Sequence, residues 1–558
     1  MSGSDAVRIV DPVHGYITIT PIERGLLDSR PAQRLRYVGQ SGLAHLVFPD
    51  LRTSRFVHSL GAMHLASRFL LASLENASKD DRAAAEIGIC DAVEEILGEL
   101  ATASKAAGGL AAEGLLCDRV ASAKCRDNVL LAEQALRLAA LFHDLGHLPF
   151  SHDFEYALQQ LAAEEEHGKV ALIRQSIAQD ALHERIGHRL TFLLIKDAYE
   201  HASNDTLDTL RVTFELARRI LETNEAQATQ TASAIGGLGT SATTALAWLH
   251  TLIAGELDVD RCDYVLRDAR SYAFESAYYD LERLIQNVTV VRHPETDKLL
   301  LPAVLPRGQP AVESFLIARS RIYQWGPRHH KVAQVAAALR YAIGEMLREA
   351  VRAGHKDNPL HQFIDDLEEI LAATKETKNA SELLDRFACY DDQWWMGHMR
   401  ESASARDDPW FNLVCWRTRG PKTLWKRAVE FPEEIPENMD LAEWNSRLPA
   451  PTQLQRRKAF DDAVRSLRDH GVLVVRHTFA PWRPTATTED HDQPESALNF
   501  YDPDRSRLSP VTRLSYPVAS LREAWLRDLQ VHAFARDTSP AISAAEVVQR
   551  LTIPSVGG

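Results

Sequence analysis

One short segment concentrates side chains that could carry out metal or acid–base chemistry. Residues 141–152 read LFHDLGHLPFSH, which sets the adjacent pair His143 and Asp144 and two further histidines, His147 and His152, among apolar residues. A buried carboxylate without a partner is costly, so a buried His-Asp pair needs compensation, and a divalent cation would supply it. The alternative is a histidine-rich helix end that is capped, solvated and free of metal.

A helical pattern leads into this segment. Leucine and alanine recur at helical spacing over residues 128–141, which predicts a buried helix. Pro149 disfavours helical geometry at the residue before it, so we expect the helix to end there and to leave His152 in a loop. On that helix His143 and His147 would share one face, because they are four residues apart.

Length and composition limit the class of protein. A chain of 558 residues is too long for one compact core, so about two to four units are expected. The formal net charge of -14 argues against a general binder of nucleic acid or anionic membranes. The six cysteines show no C-x-x-C spacing and indicate reduced thiols. The sequence shows no signal pattern and no apolar run of membrane length, so we expect a cytoplasmic protein without membrane association.

The order of patterns along the chain predicts a mostly α-helical fold with a short N-terminal hairpin over residues 8–20. The expected regions are a helical core over residues 1–345, a helical extension over 346–408 and a small α+β region over 409–558, which has a strand at residues 472–476. Within the core, an Ala/Glu/Gly/Lys-rich stretch at about 76–127 is interpreted as an inserted helical hairpin. A second low-complexity stretch, at about 224–244, is interpreted as a mobile loop.

Other segments bring further candidate ligands and cations. His58 lies at the start of an apolar helix, and an amphipathic helix starts at His183. Residues 254–268 are helical in pattern and contain five acidic residues, and residues 319–332 predict one basic helix.

These segments together could form a metal site. The candidate ligands are His58, the His143-Asp144 pair and one of Asp258 and Asp260. Two imidazoles and two carboxylates suit a first-row divalent ion and leave positions for water and substrate. Such an ion lowers the pKa of bound water and neutralises charge that develops on a phosphoryl group.

The motifs around these residues resemble those of the HD-domain phosphohydrolases. The most similar branch contains the SAM-and-HD-domain deoxynucleoside triphosphate triphosphohydrolases and their prokaryotic relatives. The motifs fall in the family's order over roughly residues 7–335 and read D-P-V-H-G-Y-I, Q-R-L-R-Y, R-F-V-H-S-L-G, F-H-D-L-G-H-L-P-F-S-H, the pair His183-Glu184, and D-V-D-R-C-D-Y-V-L-R-D. The resemblance does not extend beyond about residue 350.

The resemblance implies a divalent metal and an acid–base group. The residues that match the four metal ligands are His58, His143, Asp144 and Asp260, with the second aspartate of D-V-D preferred over Asp258. The ion could be Mn, Fe, Mg, Zn or Ni. The acid–base group matches His147, His152, Glu155 and His183. In this scheme His152 or His183 would protonate the leaving 5′ oxygen while water attacks the α-phosphorus.

The resemblance also implies nucleotide contacts. The triphosphate side matches Arg55, Arg261, Lys331 and a further arginine, Arg319, and the sugar side matches Gln40, Tyr264 and Asp268. A regulatory guanine nucleotide at a subunit interface matches Asp28, Gln33 and Arg36, which implies a homo-oligomer, either a dimer or a tetramer. Simpler alternatives are that Gln33 and Arg36 decorate a solvated helix face, that Tyr264 packs in the core, and that Asp263 is a surface or helix-pairing charge.

Two departures from the family bear on sugar selectivity. The position three residues before Lys331, which is aromatic in members that hydrolyse dNTPs, is Arg328. Residues 269–279 lack a glycine that many relatives have. Both changes fall where ribose and deoxyribose are distinguished, and we hypothesise that Arg328 relaxes this selectivity.

The leading functional prediction is cleavage of (deoxy)nucleoside 5′-triphosphates to nucleoside and triphosphate, with a nucleotide as substrate. One alternative is an HD phosphatase or phosphodiesterase that acts on other nucleotides or on nucleic-acid ends. Another is a nucleotide-sensing regulatory module with little catalysis. Tryptophans and basic residues between positions 394 and 427 could stack on nucleic acid, but a solvated basic face is the favoured interpretation.

Overall fold

The described part of the chain is mostly helical, as predicted. A computed structural model describes residues 7–103, 126–164, 170–179, 182–201, 204–223, 241–293, 300–354, 358–374, 377, 379–404, 407–418, 421–431, 440–449, 454–477, 498–511, 515, 517, 520–521, 524, 527–536 and 542–552. Within these residues, small sheets of two, four and three strands accompany the helices.

The N-terminal hairpin has the predicted form. Strands β1 (Val7–Asp11) and β2 (Gly15–Ile19) pair antiparallel, and Gly15 closes the turn at a φ of 75°. Helix α1 (Pro21–Leu27) begins with a proline and a capping box, in which Thr20 and Glu23 satisfy each other's backbone N–H groups. Helix α2 (Arg30–Arg34) follows.

The next ten helices form most of the core. They are α3 (Arg55–Asn76), α4 (Lys79–Ala103), α5 (Arg126–Phe142), α6 (His152–Glu164), α7 (Ala171–Gln179), α8 (Leu182–His201), α9 (Asn204–Glu222), α10 (Ser241–Ala254), α11 (Val259–Tyr272) and α12 (Leu281–Ile285). Helix α3 packs against both α5 and α11. The first turn of α3 therefore comes close to the end of α5 and to the start of α11.

The remaining helices are α13 (Gln309–Trp325), α14 (His330–Ala353), α15 (Pro359–Ala372), α16 (Ala380–Phe387), α17 (Asp392–Ser404), α18 (Pro409–Trp416), α19 (Leu441–Arg447), α20 (Leu454–Asp469) and α21 (Ala544–Leu551). The remaining strands are β3 (Val288–Arg292), β4 (Leu300–Val304), β5 (Lys422–Thr423), β6 (Val472–Arg476), β7 (Asn499–Asp502), β8 (Arg507–Pro510) and β9 (Val531–Ala535).

Two sheets organise the C-terminal half. Strands β5, β9 and β6 form one sheet with antiparallel neighbours, and β6 has the predicted bounds. The other sheet has the order β3-β4-β7-β8, with β4 and β7 parallel and paired at Val304 and Phe500. This second sheet joins residues almost 200 positions apart, a pairing that no local pattern signals.

Two predictions for residues 141–152 are wrong, namely the end of the helix and the loop at His152. Helix α5 ends at Phe142, so His143 and His147 lie in the following turn and not on one helix face, and His152 is the first residue of α6 and not part of a loop. The turn that replaces the helix packs closely on α8, because a Cβ atom at Gly146 would lie 2.0 Å from the carbonyl oxygen of His183.

The basic segment over residues 319–332 is likewise not one helix. Helix α13 ends at Trp325 and α14 begins at His330, with Gly326 and Pro327 between them. Proline has no N–H to donate and restricts the residue before it, so the helix breaks there.

Parts of the two predicted low-complexity segments lie outside the described residues, namely 104–125 and 224–240. Helix α4, within the expected insertion, buries Ile89, Val93 and Ile96 in the main core. Ser241 begins α10. The expectation of reduced cysteines is wrong for Cys90, which is disulfide-bonded, whereas Cys262, Cys389 and Cys415 are free thiols. Among the described residues, no helix combines the length and apolar character needed to cross a bilayer.

Candidate metal centre

The candidate metal centre lies where three chain segments meet. His58 is on the first turn of α3, His143 and Asp144 follow the end of α5, and Asp260 is on the first turn of α11. His58 is fully buried and the Asp144 side chain is nearly so, whereas 31% of the Asp260 side chain is exposed. His58 and Asp144 therefore lie in the core, and the carboxylate of Asp260 is accessible to solvent.

The four predicted ligands converge. The Nε2 atom of His58 lies 2.9 Å from Oδ1 of Asp260 and 3.4 Å from Oδ2 of Asp144. The Nε2 atom of His143 lies 3.5 Å from Oδ1 of Asp260 and 3.4 Å from Oδ1 of Asp144. One ligand atom from each of His58, His143 and Asp260 lies within 4.8 Å of the other two, close enough to share one ion, and Asp144 flanks this group.

The unsatisfied groups at this centre fit a cation. The Nε2 atom of His143 is buried and has no hydrogen-bond partner. Burial alone would lower the pKa of His58, but hydrogen bonds to Asp260 and Asp263 raise it to about 10. Burial would raise the pKa of Asp260, yet the nearby imidazoles of His143, at 3.5 Å, and His58, at 2.9 Å, hold it well below its ordinary value. The carboxylates thus favour positive charge between them, and a divalent ion could supply it.

A buried carboxylate orients His58. Asp263 accepts a hydrogen bond from Nδ1 of His58 at 2.7 Å and lies 2.6 Å from Nε2 of His14. Arg267 donates to both of its oxygens at 2.8 Å and also donates to Asp11 at 2.8 Å. The bond at Nδ1 leaves Nε2 of His58 as the metal-facing nitrogen.

The interpretation of Asp263 as a surface charge is therefore wrong, because its side chain is completely buried, whereas the alternative of a helix-pairing charge agrees with its bond to His58 on α3. His14 and Arg267, which complete this network, were not singled out from the sequence. A signal was present: Asp263 follows Asp260 by three residues and so lies close to the same helix face.

Arg55 and His147 hold Asp144. Arg55 donates to Oδ2 of Asp144 at 2.7 Å and to the hydroxyl of Ser151 at 3.1 Å. The Nε2 atom of His147 lies 3.0 Å from Oδ1 of Asp144. Burial would raise the pKa of Asp144, but Arg55 and the neighbouring histidines hold it well below its ordinary value.

A second cluster adjoins the first through His147. Glu155 on α6 lies 2.7 Å from Nδ1 of His183 and 3.8 Å from the Nδ1 atoms of both His147 and His152. The rings of His147 and His183 stack with centroids 4.1 Å apart. His152 is the outermost member, with 55% of its side chain exposed. The structure thus brings together the four predicted acid–base residues, a donor set that could itself hold a cation.

The pKa values of the two stacked histidines shift in opposite directions. Burial would lower the pKa of His183, but the charge of Glu155 raises it above its ordinary value. Burial, Arg55 and His183 together hold the pKa of His147 well below its ordinary value. The protonated form is therefore favoured at His183 over His147, a division that suits acid–base chemistry.

The predicted triphosphate-side cations contact protein groups. Arg261 pairs with Asp258, the residue that caps α11 by accepting from the backbone N–H of Arg261. Lys331 donates to the side chain of Gln334 at 3.1 Å. Arg319 donates through Nε to the Tyr264 hydroxyl at 3.1 Å, and its buried Nη1 has no hydrogen-bond partner. Arg319 therefore keeps a buried donor that a bound anion could satisfy.

The predicted sugar-side residues also leave buried groups unpaired. The Tyr264 hydroxyl lies 3.0 Å from that of Tyr323. Oε1 of Gln40 and Oδ1 of Asp268 are buried without partners, and burial raises the pKa of Asp268 to about 7. Arg328 donates to Asp528 at 3.2 Å, so a C-terminal residue holds its guanidinium.

The predicted regulatory residues lie at the surface near α1 and α2. Gln33 donates to the carbonyl of Leu27 at 2.6 Å and accepts from Nε of Arg36 at 2.7 Å. The Arg36 guanidinium lies 3.7 Å from the ring centroid of Phe56, and Asp28 is exposed. Gln33 and Arg36 therefore already contact each other through a hydrogen bond.

Comparison with known proteins agrees with the motifs. The profile of the HD domain family matches residues 95–225, which include His143 and His183 but not His58 or Asp260. The uncharacterized protein MJ1154 of Methanocaldococcus jannaschii is 24% identical over 343 residues, which are 61% of this chain and 50% of that protein. The deoxynucleoside triphosphate triphosphohydrolase SAMHD1 of Bos taurus is 28% identical over 186 residues, 32% of this chain and 24% of that protein.

The chain thus spans half or less of the length of these two relatives. Among solved structures, a phosphohydrolase of Bacteroides thetaiotaomicron covers 96% of this chain and 100% of its own, with a TM-score of 0.55 and 17% sequence identity. That likeness concerns the fold. The expected resemblance to HD-domain phosphohydrolases is confirmed, and the chain carries an HD domain.

Proposed function

Because the chain carries an HD domain, we propose that it is a metal-dependent phosphohydrolase that cleaves (deoxy)nucleoside 5′-triphosphates to nucleoside and triphosphate. The observation that carries this proposal is the convergence of His58 and His143 on Asp144 and Asp260, next to a second histidine–carboxylate cluster. The similarity to SAMHD1 supports the substrate class.

The residues that would hold the metal are His58, His143, Asp144 and Asp260. A bound divalent ion lowers the pKa of water and neutralises charge on a phosphoryl group. Asp263 fixes the ring of His58, and Arg55 fixes the carboxylate of Asp144. These contacts prepare the ligand set before any substrate binds.

His183 and His152 are the proposed proton donors to the leaving oxygen. Glu155 contacts Nδ1 of His183 and raises its pKa, which favours the protonated imidazole and leaves the proton on Nε2 for transfer. His152 lies at the exposed rim of the same cluster, where a substrate could reach it. His147, held neutral, links this group to Asp144.

The proposed anion-binding group is Arg319 with Tyr264. Their hydrogen bond leaves Nη1 of Arg319 buried and unpaired, and the ring of Tyr264 lies 6.5 Å from the ring of His58. A phosphate oxygen at this position would satisfy the guanidinium. Arg261 and Lys331 are expected to contribute further positive charge on the triphosphate side.

A product panel tests the proposal. The protein, loaded with Mn²⁺, is incubated separately with dNTPs and NTPs, and the His143→Ala variant controls for contaminating activity. Release of inorganic tripolyphosphate is the expected result. Orthophosphate or a nucleoside monophosphate would contradict it in favour of a phosphatase or phosphodiesterase, and tight binding without turnover would favour a regulatory module. If Arg328 relaxes sugar selectivity, GTP and dGTP should react at comparable rates, and a large preference for dGTP would reject that hypothesis.

A further inference from the structure

The turn between α5 and α6 has a conformation that needs external support. It carries His143, Asp144 and His147, and it ends with Phe150 and Ser151, two non-glycine residues with φ values of 58° and 56°. Non-glycine residues rarely adopt this left-handed region, and they persist there only where surrounding contacts fix the backbone.

Asp392 supports the end of this turn. It is the first residue of α17, and its Oδ1 accepts from the backbone N–H of Phe150 at 2.7 Å. Its Oδ2 accepts from the backbone N–H of Gly39 at 2.9 Å. A Cβ atom at Gly39 would lie 3.2 Å from that oxygen, so the approach is close. One carboxylate therefore ties the turn to the segment that carries Gln40.

Arg34 supports the beginning of the turn. It is buried at the end of α2, and its Nη2 donates to the carbonyl oxygens of Leu145 at 3.1 Å and His147 at 2.6 Å. Its Nη1 donates to the carbonyl oxygen of Tyr390 at 2.9 Å. The same guanidinium lies 4.3 Å from the ring centroid of Phe387. Arg34 thus joins the turn to Tyr390, two residues before Asp392, and to Phe387, the last residue of α16.

We propose that Arg34 and Asp392 are positioning residues for the metal and acid–base groups on the turn. Both lie outside the residues matched by the HD domain, so the segment over residues 380–404 would act as part of the reaction centre and not as an appendage. The link to catalysis rests on the proposed function. The link to the geometry of the turn does not.

The variants remove these contacts singly. Asp392→Ala removes the acceptors for the N–H groups of both Phe150 and Gly39. Asp392→Asn keeps one acceptor oxygen and serves as the milder variant if Asp392→Ala does not fold. Arg34→Met removes the N–H donors but keeps an unbranched side chain, and Arg34→Lys keeps the positive charge with fewer N–H donors. The matched control is Arg30→Ala, because Arg30 is also on α2 and pairs with Asp385 on α16 at 2.9 Å, but this pair is exposed and does not touch the turn.

The first measurement is amide hydrogen exchange without metal or nucleotide. In Asp392→Ala the amides of Phe150 and Gly39 should exchange at least tenfold faster, with a smaller increase in Asp392→Asn, whereas the Leu65 amide in α3 keeps its rate. Arg30→Ala should leave the exchange of Phe150 and Gly39 unchanged. Unchanged exchange at Phe150 in Asp392→Ala, or an equal increase in the control, would overturn the proposal.

The second measurement is Mn²⁺ affinity together with steady-state kinetics. Arg34→Met should bind Mn²⁺ at least tenfold more weakly and lose at least tenfold in kcat with KM within threefold, and Arg34→Lys should recover part of both. If Arg34 had only a structural role, Arg34→Met would lower the stability of the protein without lowering kcat selectively over KM, and that result would overturn the positioning role. If the unaltered protein neither binds Mn²⁺ nor hydrolyses nucleotides, the proposed function fails, and hydrogen exchange still decides whether the two residues hold the turn.

Discussion

Replacing Asp263 with asparagine should weaken metal binding although Asp263 is not itself a proposed ligand. Its carboxylate is completely buried, and it accepts from Nδ1 of His58 at 2.7 Å and from two nitrogens of Arg267 at 2.8 Å. It also lies 2.6 Å from His14. An asparagine amide keeps one acceptor oxygen but replaces the other oxygen with an NH2 donor. One of the N–H donors that now bind Asp263 would therefore face another N–H donor.

The size of the effect follows from these contacts. Disturbing a group that orients a metal-bound imidazole typically costs about 10–100-fold in metal affinity. Breaking a buried ion pair by removing one partner costs about 3–5 kcal/mol. Because Arg267 keeps Asp11 at 2.8 Å and one contact to the amide, we expect the lower end, about 3 kcal/mol of unfolding free energy.

Calorimetric titration with Mn²⁺ measures the first effect, and urea unfolding without metal measures the second. The control is Glu282→Gln, which breaks the exposed pair of Glu282 with Arg68 at 2.6 Å. That change should cost about 0–1 kcal/mol and leave metal affinity unaltered. A Mn²⁺ affinity of Asp263→Asn within twofold of the unaltered protein would refute the idea that Asp263 orients His58.

Three further predictions concern the turn and the acid–base cluster. His143→Ala should abolish turnover and weaken Mn²⁺ binding while far-UV circular dichroism stays the same; full activity with the metal lost would refute the ligand assignment. The pKa of His183 lies above 6.5 and its protonated form is the donor, so kcat should fall as pH rises through that raised value, and Glu155→Gln should move this decline to lower pH; an unmoved pH profile would exclude His183 as the acid. Gly146→Ala should lower the unfolding free energy in urea by about 1–3 kcal/mol or more, because the new Cβ would lie 2.0 Å from a backbone oxygen, whereas Gly25→Ala meets nothing within 4 Å and should cost nothing; equal effects would contradict the close approach.

The identity of the candidate ligands could be predicted because it depends on residue type and local pattern. His58, the His143-Asp144 pair and Asp260 each lie in a short segment with a distinctive composition, and helical periodicity located α3 and α11 well enough to place His58 and Asp260. The hairpin of β1 and β2 and the strand β6 were predictable for the same reason, since turn residues and apolar runs act over a few positions.

Local pattern failed where distant backbone decides the outcome. The sequence predicted a helix through residue 148, but the helix ends at Phe142, and the turn that follows places Gly146 against the backbone of α8. Asp263 looked like a surface charge because its partners His14 and His58 lie more than 200 positions away. The pairing of β4 with β7 could not be predicted for the same reason, because Val304 and Phe500 are far apart in the chain.

The sequence by itself thus determined the donors available for a metal and for proton transfer, and the helices that carry most of them. Only the tertiary structure decided which nitrogen of His58 faces the site, which of the stacked histidines has the raised pKa, and which side chains hold the turn after α5. The physical reason is range: chemical type and helical spacing are properties of neighbouring residues, whereas burial, ion pairing and backbone contact arise between segments that meet only when the chain is folded.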